Sequence, residues 1–262
     1  MVVAALAVVT LLAWTYVLSL GAPVTPAGAV GVTDMPMNGM AMDGMADALA
    51  PAIHPWGAAT VATMLTMWSV MMVGMMTPSV APMVLLYAAV GRKAVEGGAP
   101  FAATGWFFAG YLAVWIAFSV LATGAQWALT SMALLTPKMA ASGGILGGAL
   151  LVAVGLYQWT PVKQSCLKAC QAPLSFLMAH GGFRGDAAGA VRLGLSHGLY
   201  CLGCCFALMA LLFVGGVMNV LWIAGLTLLI LVEKIVPAGR LIPRISGALI
   251  GAAGVWLLVR AI

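Results

Sequence analysis

Apolar residues run along this chain in long blocks separated by short polar punctuation. The blocks cover residues 2–20, 57–91, 101–122, 143–159, 193–216, 220–236 and 245–259. A helix rises about 1.5 Å per residue, so roughly 20 apolar residues cross the ~30 Å hydrocarbon core of a bilayer. The pattern therefore predicts an all-α polytopic membrane protein, a bundle of about seven transmembrane helices. The second block is too long for one crossing; Pro78 and Pro82 should kink it, and its end should project beyond the membrane. The first block has no basic residue before it and is long for a signal-peptide core, so a retained helix is expected rather than a cleaved leader.

Composition agrees with the pattern. The chain is 64% hydrophobic and 6% charged, whereas a soluble domain is about 25% charged. Such a chain cannot cover a water-facing surface. The net charge of +5 comes from basic residues that occur singly, which argues against nucleic acid as a partner and for orientation in a bilayer. With the N-terminus cytoplasmic, Arg92, Lys93, Lys163, Lys168, Arg184, Arg192, Lys234, Arg240 and Arg244 fall inside, and Lys138 and Arg260 outside. That asymmetry satisfies the positive-inside rule, as expected of a multi-pass protein in a cytoplasmic membrane. The expected organisation is a first transmembrane helix over 1–20, an extracytoplasmic loop over 21–56, and a six-helix membrane bundle over 57–262 with a basic cytoplasmic loop at 160–192.

Methionine changes the picture. Of 18 methionines, 11 lie between Met35 and Met76. Within the first loop Met35, Met37, Met40, Met42 and Met45 are spaced 2, 3, 2, 3, a pattern that fits neither helix nor strand, and Pro36, Gly39 and Gly44 break both. Packing does not account for them. A thioether is a soft, uncharged ligand suited to Cu(I), and Asp34, Asp43 and Asp47 would raise the local cation concentration. A plain linker or an adhesive methionine surface is the alternative. His54, beside Pro55, reads as an ordinary loop residue. In the second block Met64, Met67, Met71 and Met75 share one helical face, with Met72 and Met76 beside them. Such a stripe serves as core or as a metal path.

The densest chemistry lies in Leu195-Ser-His-Gly-Leu-Tyr-Cys-Leu-Gly-Cys-Cys-Phe206. At about 100° per residue, His197, Cys201, Cys204 and Cys205 fall within an arc of about 100° on one membrane helix. One helix rarely wraps a metal alone. Cys166 and Cys170, one helical turn apart in the basic segment, are the obvious second pair of donors. Zinc would accept Cys and His but not explain the methionines; Cu(I) explains both. Simple apolar packing of the cysteines is the bland alternative. His180, in a Gly-rich loop, reads as a non-ligand. Glu233 reads as an interfacial ion or an inward functional group, and Lys234 as a side chain reaching back to the interface.

Several motifs together carry a resemblance: Met67-Trp68-x-x-Met71-Met72-x-x-Met75-Met76-x-Pro78-Ser79, Tyr157-Gln158-x-x-Pro161-x-Lys163-x-x-Cys166-Leu-x-x-Cys170, Gly198-x-x-Cys201-x-Gly203-Cys204-Cys205-x-x-Leu208-Met209, and Glu233-Lys234. From about Trp56 to Pro237 the chain resembles a bacterial family of predicted metal-binding integral membrane proteins. The resemblance implies a polytopic fold and a metal role, but no reaction; Phe206 stands where the family commonly has Trp. The leading expectation is a copper-handling membrane protein. It would capture Cu(I) outside through methionines and pass it through the Cys/His site to or from a copper donor or acceptor protein. The alternatives are an accessory subunit of a larger copper membrane enzyme, an oxidase or monooxygenase, and an intramembrane thiol–disulfide relay through Cys201 and Cys204. The chain lacks a nucleotide-binding loop, so an ATP-driven pump is not expected, and no residue is assigned as catalytic.

Overall fold

The computed structural model describes residues 2–21, 56–135, 141, 143–183, 185–236 and 240–261. These residues are almost entirely helical: α1 (Val2–Gly21), α2 (Ala58–Glu96), α3 (Thr104–Ser131), α4 (Gly144–Tyr157), α5 (Pro161–Gln171), α6 (Pro173–Ala179), α7 (Ala187–Ala210), α8 (Leu212–Gly215), α9 (Val220–Ile235) and α10 (Leu241–Ala261). Among the described residues five helices are long and apolar enough to cross a membrane: α1, α2, α3, α7 continued by α8, and α10. The α4–α5 pair, bent by 65°, would make a sixth crossing. The remaining block expected to span, α9, is a 16-residue helix. Large apolar side chains such as Leu121, Leu221 and Leu249 point outward, an arrangement suited to acyl chains.

Helix α2 runs unbroken for 39 residues through Pro78 and Pro82. Helix α3 continues to Ser131, past the point where the apolar pattern fades. Residues 161–171 and 173–179, within the basic stretch, are helical as well. Local signals start these helices. Thr160 caps α5 by accepting from the Lys163 backbone N–H at 3.3 Å with Pro161 in the first turn, and Asp186 caps α7 by accepting from the Gly189 N–H at 2.7 Å.

Glycine sets which helices touch. A Cβ on Gly194 would lie 2.0 Å from the Phe107 carbonyl oxygen, and one on Gly110 would lie 2.2 Å from that of Val191. Helices α3 and α7 thus meet backbone to backbone, as small residues permit in membrane bundles. The same device joins α4 to α10, where a Cβ on Gly155 would sit 2.7 Å from the Gly247 carbonyl oxygen. The core is built around α2 and α7. Met67, Met71, Met72, Met75 and Met76 are all buried, together with Cys201, Cys204, Cys205 and Met209.

Candidate metal centre

The expected face of α7 is buried: His197, Cys201, Cys204 and Cys205 are each at most 3% exposed. The thiols of Cys204 and Cys205 donate to the Cys201 carbonyl oxygen at 3.0 and 2.9 Å. Helix α5 lies against this face. Cys170 brings its sulfur to 3.9 Å from that of Cys204, and it also lies within interacting reach of Cys201. Cys166 sits over Gly203, where a Cβ would come 2.7 Å from its sulfur. The glycine in Cys201-x-Gly203-Cys204 therefore gives α5 room to approach, and the Tyr157 hydroxyl fixes that approach by donating to the Gly203 carbonyl at 2.6 Å.

Sequence reasoning missed the cation at this site. Lys234 does not reach outward from the bundle. It is buried, with Nζ 2.8 Å from Cys201 Sγ and 3.0 Å from Ser79 Oγ. The Tyr111 hydroxyl lies 3.1 Å from the same sulfur and donates to the Met76 carbonyl at 3.4 Å. Ser79 Oγ is 3.9 Å from Met76 Sδ. Met76, a residue the face count sets beside the main stripe of Met67, Met71 and Met75, is thus linked to Cys201 through the Tyr111 hydroxyl and through Ser79 and Lys234. A pointer existed in the sequence: a lysine ending an apolar helix is costly unless it finds a partner.

Glu233 turns the other way from its neighbour. Its carboxylate accepts from Lys163 Nζ at 2.6 Å, Gln158 Nε2 at 3.0 Å and Ser246 Oγ at 3.0 Å, and its carbonyl accepts from Gln171 Nε2 at 2.7 Å. One residue of α9 therefore holds both ends of the cysteine-bearing α5. Lys163 is fully buried, so two of the basic residues in the orientation count serve inside the bundle instead of at a membrane surface.

His197 stands one turn from Cys201, enclosed by Phe107, Tyr111 and Phe176 at ring distances of 6.1, 6.0 and 5.0 Å. Its Nδ1 has no hydrogen-bond partner among the described residues. The loop methionines Met35, Met37, Met40, Met42 and Met45 and His54 lie outside the described residues. Among the described residues, no group of three or more His, Cys, Asp or Glu side chains converges as a ready-made metal cage. Two of the α7 thiols are turned to a backbone carbonyl, and the third is held by lysine. What is assembled is a set of close sulfurs on two helices with a cation beside them.

A model of a copper chaperone family, PpoB2, matches residues 65–257. The chain belongs to this copper chaperone family. The matched region contains all five cysteines, His197, Lys234 and the stripe from Met67 to Met76; the loop methionines precede it. Neither the curated proteins nor the solved structures contain a match to the chain. Membership in a copper chaperone family fits a sulfur-rich interior, because thiolate and thioether ligands select Cu(I).

Proposed function

We propose that the protein carries Cu(I) within the membrane, held by Cys170 and the α7 thiols, and hands it to a copper-requiring partner protein. The observation that carries this reading is the Cys170–Cys204 approach of 3.9 Å across two helices, beside the lysine that holds Cys201 at 2.8 Å. Cu(I) is a soft ion that a small number of sulfur ligands can satisfy. A Cu(I) ion between two thiolates carries one net negative charge, and a buried net charge is costly. Lys234 supplies one positive charge next to the thiols, which makes the loaded site neutral. Lys163 does not compete for that role, because Glu233 already pairs with it.

The remaining sulfur forms an approach. The acidic methionine segment at 34–47 would collect Cu(I) on the extracytoplasmic side, and the α2 stripe would lead it to Met76. Thioethers hold Cu(I) more loosely than thiolates, so affinity rises along that route. His197, one turn from Cys201, would complete the donor set or receive the ion from it. Zinc does not suit the thioether part of the route.

The test is copper per protein after purification in detergent and loading with Cu(I) under anaerobic conditions. Wild type should bind copper tightly, Cys170→Ser, Cys201→Ser and Cys204→Ser should each lower affinity, and replacing the five loop methionines by Leu should reduce acquisition at limiting copper only. A wild type that binds no Cu(I) would overturn the carrier reading.

A further inference from the structure

Charge is scarce inside this bundle, and it does not balance without sulfur. Among the described residues, the buried side chains that carry formal charge are Lys163, Glu233 and Lys234. Lys163 and Glu233 cancel as an ion pair at 2.6 Å. Lys234 is left over, with no carboxylate at ion-pair distance among the described residues. Its contacts are the Cys201 sulfur at 2.8 Å and the Ser79 hydroxyl at 3.0 Å. The Tyr111 hydroxyl, 3.1 Å from the same sulfur, is neutral. The interior therefore holds one net positive charge, and thiolate is the group placed to offset it.

The number of donors is limited as well. Cys170 and Cys204 bring two sulfurs from two helices to 3.9 Å. Among the described residues no three His, Cys, Asp or Glu side chains converge, and the Cys205 thiol is turned to the Cys201 carbonyl at 2.9 Å. Zinc sites are almost always tetrahedral, with four ligands, whereas a small number of sulfur ligands satisfies Cu(I). Charge acts in the same direction. Two thiolates beside the Lys234 ammonium leave one negative charge. A monovalent ion cancels it. A divalent ion turns it into one positive charge, buried and without an anion at hand. Thioethers from the methionine stripe and a neutral imidazole from His197 do not alter this count.

We propose that Lys234 is a specificity-determining residue: its ammonium makes the thiol site a charge filter that accepts a soft monovalent cation, Cu(I), and rejects divalent ions such as Zn(II) and Cu(II). The inference rests on the carrier reading above and adds how the site chooses its metal. Placement gives the lysine this power. On a water-facing surface its charge would be screened, but buried against a ligand sulfur it acts in a medium of low dielectric.

The experiment uses the full-length protein in detergent, without oxygen, in competition with chelators of known affinity for Cu(I), Ag(I) and Zn(II). Ag(I) shares the charge and softness of Cu(I), and Zn(II) is a divalent ion that does not oxidise thiols. Wild type should bind Cu(I) and Ag(I) and hold Zn(II) far more weakly. Lys234→Gln keeps an N–H donor but drops the charge. It should weaken Cu(I) and Ag(I) about ten-fold or more, the scale on which one hydrogen bond to a charged group acts, and it should strengthen Zn(II). Lys234→Arg should keep the wild-type order of metals. A lysine that only packs the helices would make Lys234→Gln lose all three metals alike; that outcome, or no change in any of them, overturns the filter. So does a wild type that binds Zn(II) as tightly as Ag(I), a result that depends on no variant folding. A wild type that binds neither Cu(I) nor Ag(I) would instead overturn the carrier reading beneath it.

Discussion

Lys234 Nζ lies 2.8 Å from Cys201 Sγ, a contact between α9 and α7 across 33 positions of sequence. Among the described residues no carboxylate pairs with this lysine, and its other hydrogen-bond partner is the neutral Ser79 hydroxyl at 3.0 Å. A buried ammonium needs a counter-charge. The one offered here is sulfur, and the loaded site gains the charge balance that two thiolates and one Cu(I) leave unfilled.

Lys234→Met should therefore weaken Cu(I) binding. A hydrogen bond to a charged group contributes about 1.5–3 kcal/mol, which corresponds to roughly 10- to 100-fold in affinity at 1.4 kcal/mol per ten-fold. Lys234→Arg, which keeps the charge, should lose less. Competition titration against Cu(I) chelators of known affinity reads the difference; equal affinities for wild type and Lys234→Met would remove the lysine from the loaded site.

The sulfurs of Cys170 and Cys204 are 3.9 Å apart, too far for an existing disulfide, whose bond length is about 2.05 Å, but near enough to form one after a small shift. In copper-free protein, diamide should convert these two thiols to a disulfide, with the two electrons passing to diamide. Cu(I) loading should block the reaction. Mass-shift alkylation of the five cysteines would register both results. A disulfide joining Cys201 to Cys204 that forms equally with and without Cu(I) would favour the thiol relay.

Gly194→Ala should be strongly destabilising, because its Cβ would meet the Phe107 carbonyl at 2.0 Å and neither helix backbone can yield cheaply. Overpacking typically costs about 1–3 kcal/mol. Gly105→Ala, on the facing helix α3 but with nothing within 4 Å of the new Cβ, should be neutral. Thermal unfolding in detergent compares them. Since the α3–α7 contact also brings Tyr111 to 3.1 Å from Cys201, Gly194→Ala should lower copper affinity in parallel.

The sequence by itself determined the all-helical class with its long apolar helices and the shared face of His197, Cys201, Cys204 and Cys205, because each depends on local periodicity; the helix starts at Pro161 and Ala187, inside the stretch read as a basic loop, were not among them. It also singled out Cys166 and Cys170 as the second source of sulfur, because their spacing places both on one turn. The partners of the charged residues lay beyond its reach. Glu233 and Lys234 are adjacent in sequence, and periodicity says only that they point about 100° apart. Which of them meets Lys163 and which meets Cys201 is decided by how α5, α7 and α9 lie against one another, and glycine contacts such as Gly203 against Cys166 set that arrangement. The same holds for His180. Its Gly-rich surroundings read as an unremarkable loop, and only the tertiary fold brings it against Phe176, in ring contact with the same phenyl that His197 touches.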